Sequence, residues 1–229
     1  MPKKIGIVAV TADGAALCYQ TICAEGSALF GPRAHPEVML HTFSLRDYLR
    51  YVDVGDWEAV GSLLVESARK LQRAGADFLI CPANKSHLAI DLIRERSPLP
   101  WLHIAEEVAL AAATRKLTRL LLLGTEALMK GPVYPSRLSV KGIVQEIPSP
   151  EDRRRIDAII FEELTHGRFE ERSREYVTKL IREVGGRGCD GVILGCTELP
   201  LLLSEADSPL PALDSTRLLA RAALREAAA

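Results

Sequence analysis

Short apolar runs alternate along the chain with longer segments in which apolar positions recur every three or four residues. The runs "KIGIVAV", "EVMLHTF", "DFLICP", "LPWLHI", "RLLLLGT" and "GVILGC" are rich in branched aliphatic side chains, as strands covered on both faces are. Among the longer segments, "DWEAVGSLLVESARKLQRAG" repeats Trp57, Val60, Leu64, Ala68 and Leu71 at helical spacing. Asp56 is placed to cap that helix and Gly75 to stop it. Strands alternating with helices predict an α/β fold with parallel sheets and helices on both faces.

The second half of the pattern echoes the first. "GADFLICPANKSH" from Gly75 and "GCDGVILGCTELP" from Gly188 share a Gly-x-Asp start, an apolar strand and a polar strand-to-helix turn, at an offset of 113. "KIGIVAV" pairs with "RLLLLGT" at an offset of 115, and "PLPWLH" with "PLPALD" at 111. Three matches in order, at nearly one offset, predict two similar α/β halves. In that register Ala83 stands where the other half carries Cys196.

Ligands of open α/β sheets bind beyond the carboxyl ends of the strands. Two such halves facing each other would set Ala83, Asn84 and Lys85 opposite Cys196, Thr197 and Glu198, with Thr125 and the Thr11 loop lining the same cleft. A thiol at a strand end and at a helix start is expected to have its pKa lowered by unpaired backbone amides, which favours the reactive thiolate. The competing reading of Cys196 is a buried structural cysteine. Asn84, Thr125 and Thr197 are short donors suited to a carboxylate or a developing enediolate, and equally suited to capping turns and helices. His87 is a candidate base or a hydrogen-bonding support. Cys18 and Cys23 are expected to pack inside the first helix.

Composition narrows the partner. Lys and Arg number 29 against 30 Asp and Glu, so no long-range field favours nucleic acid or an anionic membrane surface. No run approaches the roughly 18 apolar residues of a membrane span, and the start lacks a small-residue cleavage pattern. Five cysteines make no paired framework in a chain of 229 residues, which points to reduced thiols and a cytoplasmic setting. The histidines at 35, 41, 103 and 166 show no ligand spacing, so no metal site is expected. "GIVAVTADG" matches neither nucleotide-binding glycine pattern, and no cofactor is implied.

"GCTE" after an apolar strand, the Asn-x-x-His element of "ANKSH", and the segments "PLPWLHIAEE", "LLLGTEALM", "FEELTHGRF" and "LDSTRLLARAA" together resemble the aspartate/glutamate racemase family of cofactor-independent amino-acid racemases. The resemblance implies two Rossmann-like domains with parallel sheets, related by a pseudo-twofold, with the active site in the cleft between them, and a homodimer. The implied division is residues 1–105 with 210–229, the last helix returning to the first half, and residues 106–209. It further implies a two-base racemisation in which thiols on opposite faces exchange the α-proton. By position Cys196 would be one acid/base group, and Asn84, Thr125 and Thr197 would hold the α-carboxylate.

Three departures bear on that chemistry. Ala83 stands at the family's usual first cysteine, Lys85 at a typical threonine, and the first loop reads "AVTADG". Alanine carries no exchangeable proton, so another group would have to serve the second face. Cys81 shares the strand face of Ala83 but lies about 7 Å deeper, at the usual rise of a strand. Lys85 is long enough to reach into a cleft, where burial would make it a base; its alternative is a solvated surface lysine. Arg46, in "SLRDYL", lies near the position where dicarboxylate-specific relatives keep an arginine; its alternative is a solvated pair with Asp47 in a loop. Two other functions stay open: a one-cysteine decarboxylase or isomerase of the same superfamily, and a catalytically silent carboxylate-binding protein.

Overall fold

The computed structural model describes residues 1–229 and divides them into two compact units. The first comprises Met1–Ile104 and Thr216–Ala229, the second Ala105–Ser215. Seven strands run β1 (Ile5–Ala9), β2 (Val38–Thr42), β3 (Phe78–Ile80), β4 (Arg119–Leu123), β5 (Val144–Glu146), β6 (Gly191–Leu194) and β7 (Ala212–Asp214). The helices are α1 (Ala12–Glu25), α2 (Ser27–Phe30), α3 (Leu45–Asp53), α4 (Trp57–Arg73), α5 (His87–Ile93), α6 (Ile104–Thr114), α7 (Glu126–Met129), α8 (Pro135–Ser139), α9 (Pro150–Ala158), α10 (Glu171–Gly185), α11 (Leu199–Leu202) and α12 (Ser215–Ala228). A π-helical turn, Ile159–Glu163, continues α9. No helix is long and apolar enough to cross a membrane.

Both sheets are parallel, in the orders β2-β1-β3 and β5-β4-β6-β7. The fourth position of the first sheet is a single bridge, Leu79 to Trp101, so the expected strand "LPWLHI" shrinks to one residue there. That bridge is the counterpart of Val192 paired with Ala212, at the offsets 113 and 111 found in the sequence. The repeat is therefore a repeat of topology. β5 was not among the expected strands; its three residues, "VQE", are half-buried or exposed and carry no apolar run. β7 pairs with β6, which puts residues 212–214 in the second sheet although the expected division began its return to the first half at residue 210.

The shared Gly-x-Asp start has a structural cause. Gly75 and Gly188 end the loops after α4 and α10 at φ +98° and +101°, a left-handed conformation that glycine adopts without a Cβ clash. Two residues on, Asp77 accepts the Lys4 N–H at 2.7 Å, and Asp190 accepts the Arg119 and Thr118 N–H groups at 2.9 and 2.7 Å. In each unit this aspartate latches the start of one strand to the start of its neighbour.

Strand periodicity sorts the first sheet's side chains onto two cores. Val8, Val10, Leu79 and Cys81 pack with Val60, Leu64, Ala68 and Leu71 of α4 and with Ala89, Ile90 and Ile93 of α5. Ile5, Ile7, Ala9, Phe78 and Ile80 pack with Ala15, Cys18 and Ile22 of α1 and with Leu219, Ala220, Ala223 and Leu224 of α12. α4 begins as the sequence predicts, the Asp56 carboxylate accepting the Ala59 N–H at 2.9 Å. Cys18 is fully buried, whereas Cys23 stays half-exposed on the far side of α1.

Candidate functional site

In the second unit β6 is buried along its length and delivers Gly195 beside the end of β4, where the Gly195 N–H donates to the Leu123 carbonyl at 2.7 Å. A Cβ at Gly195 would meet Leu128 at 2.8 Å and the Leu123 oxygen at 3.0 Å, so the close approach of the two strand ends requires glycine. The next three residues, Cys196, Thr197 and Glu198, form a buried turn into α11.

Cys196 Sγ donates to Glu198 Oε2 at 2.6 Å. The backbone N–H groups of Glu198 and Leu199 also act on the sulfur and favour its anion, as expected from a helix start. They are outweighed. Burial and then the adjacent Glu198 carboxylate push the thiol well above its ordinary range. The expected lowering of the Cys196 pKa is thus corrected. α11 has only four residues, and the nearest charge is an anion. At rest this is a thiol hydrogen-bonded to a carboxylate.

Thr125 follows β4 and caps α7, its Oγ1 accepting the Leu128 N–H at 3.3 Å. Capping uses the oxygen as acceptor and leaves the hydroxyl proton to donate. Asp157 Oδ1 accepts the neighbouring Glu126 N–H at 2.7 Å. Thr197 is buried in the cysteine turn.

In the first unit the carboxyl ends of β1, β2 and β3 carry the remaining candidates. Thr11 starts α1 with extended backbone and no side-chain cap bond. Arg46 lies exposed in the first turn of α3, so it stands on a helix, whereas the alternative reading of a solvated pair with Asp47 had set it in a loop. Ala83 is half-buried, packed against the α4–α5 core, and Asn84 and Lys85 form a 3₁₀ turn with Ser86. Asn84 is buried; Lys85 extends over the Trp57 ring, its Nζ 5.5 Å from the centroid.

The protonic groups near Ala83 are tied up. Cys81 is fully buried, and burial pushes its thiol up to about 11 against partial relief from the Ala83 N–H and Ser86. His87 is fully buried, one ring nitrogen accepting the Ile104 N–H at 3.4 Å and the other donating to the Cys81 carbonyl at 2.9 Å. This arrangement fits a support that ties the end of β3 to the start of α6. The ring of His103 packs edge-on against it at 4.4 Å. Ser86 Oγ donates to Tyr48 Oη at 3.0 Å, and burial raises that phenol to about 12. Neither the Tyr48 contact, 38 residues away in sequence, nor the Glu198 contact to sulfur was anticipated. No group of three or more His, Cys, Asp or Glu side chains is arranged to hold a metal ion.

Two parallel α/β units of one topology, with a buried thiol at the tip of a central strand, define the class. The chain belongs to the Asp/Glu/Hydantoin racemase family, whose model matches residues 5–223. It is 25% identical over 166 residues to a broad specificity amino-acid racemase, RacX, of Bacillus subtilis, covering 72% of this chain and 71% of that protein. Matches to curated glutamate racemases span about half of those proteins' length, 52% and 46%. Among solved structures, a candidate Asp/Glu racemase from Yersinia pestis superposes with a TM-score of 0.91 at 30% identity, covering 98% of this chain and 99% of that one. An aspartate racemase homologue from Pyrococcus horikoshii superposes with a TM-score of 0.88 at 29% identity, covering 99% and 100%.

Proposed function

We propose that the chain is an amino-acid racemase that needs no cofactor and exchanges the α-proton through Cys196 and a second base that is not a cysteine. The observation that carries this reading is the buried Cys196–Glu198 pair at the tip of β6, inside a racemase-family match that spans nearly the whole chain. Asn84, Thr125 and Thr197 are the proposed donors to the α-carboxylate, and Thr11 is a further proposed substrate-binding residue. Arg46 is the proposed partner of a side-chain carboxylate. Lys85 is the proposed second base, with the Trp57 face as its resting place.

A one-thiol reaction on the same scaffold is the second reading, and the surroundings of Ala83 favour it. A fully buried Cys81, a His87 with both nitrogens bonded and a Lys85 resting on Trp57 leave Cys196 as the readiest proton carrier. Such an enzyme would protonate an enediolate from one face, after loss of carbon dioxide or during an isomerisation.

Proton NMR in deuterium oxide with L- and D-amino acids, aspartate and glutamate included, separates the readings. Racemisation gives washout of the α-proton together with the opposite enantiomer, and Cys196→Ala abolishes both. Washout with retained configuration leaves only the Cys196 face at work. No washout from any amino acid removes the racemase reading.

A further inference from the structure

We propose that Tyr48, through its hydrogen bond with Ser86, is a specificity-determining positioning residue that sets the preference for dicarboxylic over monocarboxylic amino acids. The inference rests on the reading that Arg46 meets a side-chain carboxylate and Asn84 the α-carboxylate, and it names what holds those two groups in register.

Arg46 belongs to an element with little of its own to hold it. α3 has nine residues, its Ser44 cap makes no side-chain bond, and Tyr48 is its one buried residue. Tyr51 and Val52 are half-buried and the rest of the helix is exposed. So short a helix is not stable by itself, and its placement comes from tertiary contacts. Tyr48 makes the deepest of them. Its ring packs into the α4–α5 core and stacks on Phe43 with centroids 6.2 Å apart, and its Oη accepts the Ser86 hydroxyl at 3.0 Å. A phenyl ring would fill the same core; what the hydroxyl adds is a link across 38 residues of sequence.

The other end of the link is firm. Ser86 is fully buried, and its N–H donates to the Ala83 carbonyl at 3.1 Å, which closes the 3₁₀ turn that carries Asn84 and Lys85. Arg46 stands two residues before Tyr48, and Asn84 two before Ser86. One buried bond therefore ties the helix start that bears the guanidinium to the turn that bears the amide. A ligand with two carboxylates gains from two anchors only when both are reached at once, so the spacing between anchors is felt by aspartate or glutamate. An amino acid with a single carboxylate does not feel it. Burial keeps the Tyr48 phenol protonated up to about 12, so the link is intact throughout the neutral range.

Steady-state kinetics of Tyr48→Phe with aspartate, glutamate and alanine test this, together with hydrogen exchange in the absence of substrate. The substitution keeps the ring and deletes the acceptor. KM for aspartate and glutamate is expected to rise about five- to tenfold with kcat nearly unchanged, because a binding group is misplaced and the chemistry is not touched. KM for alanine, or its inhibition constant where it is not turned over, is expected to stay within about twofold of wild type. The amides of α3 are expected to exchange about tenfold or more faster in the variant, while those of α4 and β1 keep their protection. Ser86→Ala cuts the same bond from the other side and is expected to reproduce the pattern, and the double variant to add nothing to either single one. If Tyr48→Phe does not fold, Ser86→Ala decides. A variant in which alanine suffers as much as aspartate, or in which neither suffers, overturns the proposal, since Tyr48 would then serve the core alone. Undisturbed exchange in α3 overturns it as well. Wild type that exchanges α-protons but binds alanine as tightly as aspartate also overturns it and leaves the racemase reading standing; no exchange from any amino acid removes that reading, and this inference falls with it.

Discussion

Cys81 and Cys196 are both buried thiols at the carboxyl end of a central strand, and a carboxylate separates their chemistry. Burial raises Cys81 to about 11, from an ordinary 9.0, even against the relief that the Ala83 N–H and Ser86 supply, and no carboxylate acts on its thiol. Tyr48 is raised in the same way from 10.0 to about 12. Both groups hold their protons more tightly folded than unfolded. Their contribution to stability is therefore complete below about pH 9 and is lost as the pH rises through about 11 to 12. For Cys81 the difference corresponds to roughly 3 kcal/mol as an order of magnitude. Urea midpoints measured across this range are expected to fall steeply for wild type and less steeply for Cys81→Ser; equal slopes would mean that Cys81 does not titrate with unfolding. The position of each thiol was legible in the sequence from the apolar run before it. Its ionisation was not, because that depends on a carboxylate that curls back from two residues ahead.

At the scale of elements, the strands with continuous apolar runs were legible because a run buried on both faces admits few other structures. β5 escaped because it lies at a sheet edge and is held by polar side chains, Glu146 on Arg119 and Gln145 on the Met129 carbonyl, rather than by an apolar run, and "LPWLHI" was over-read because it meets its neighbour only at the Trp101 bridge. The repeated aspartates are more instructive. Sequence alone shows that Asp77 and Asp190 recur; only the packed strands show that each accepts the N–H of the adjacent strand's first residues. Burial alone would raise the Asp190 carboxyl, but the amides of Arg119 and Thr118 and the Thr118 hydroxyl outweigh it and hold it below its ordinary value. Its contribution is thus present at neutral pH and is lost as the pH falls through the acid range. Asp190→Ala is expected to cost about 1–2 kcal/mol at pH 7 in chemical denaturation, and less in acid. A cost that does not change with pH would show that the latch is not ionic. Asp56→Ala, which removes the α4 cap, is expected to cost about 1 kcal/mol with little change in activity.

At the scale of the whole molecule, the first unit is discontinuous in sequence. α12 comes from the far end of the chain, yet its Leu219, Ala220, Ala223 and Leu224 complete the core beneath Ile5, Ile7, Phe78 and Ile80. A chain ending at residue 215 is expected to lose amide protection in β1 and β3 while β4 and β6 keep theirs, as read by hydrogen exchange. Uniform loss would mean that the two units do not unfold separately. Sequence reading placed this helix with the first half, and it did so through family resemblance; apolar spacing alone makes α12 amphipathic without saying which sheet it covers.

The sequence by itself determined the alternation of strand and helix, the doubled topology, the family, and the residues that follow each strand, because these depend on local patterns of apolar and polar side chains. Tertiary structure alone decided what those residues are. It placed the Glu198 carboxylate on the Cys196 sulfur, spent both nitrogens of His87 on backbone partners, and laid Lys85 across Trp57. A proton's affinity for its site is fixed by burial and by charges a few ångströms away in space, and neither distance is written in the order of the residues.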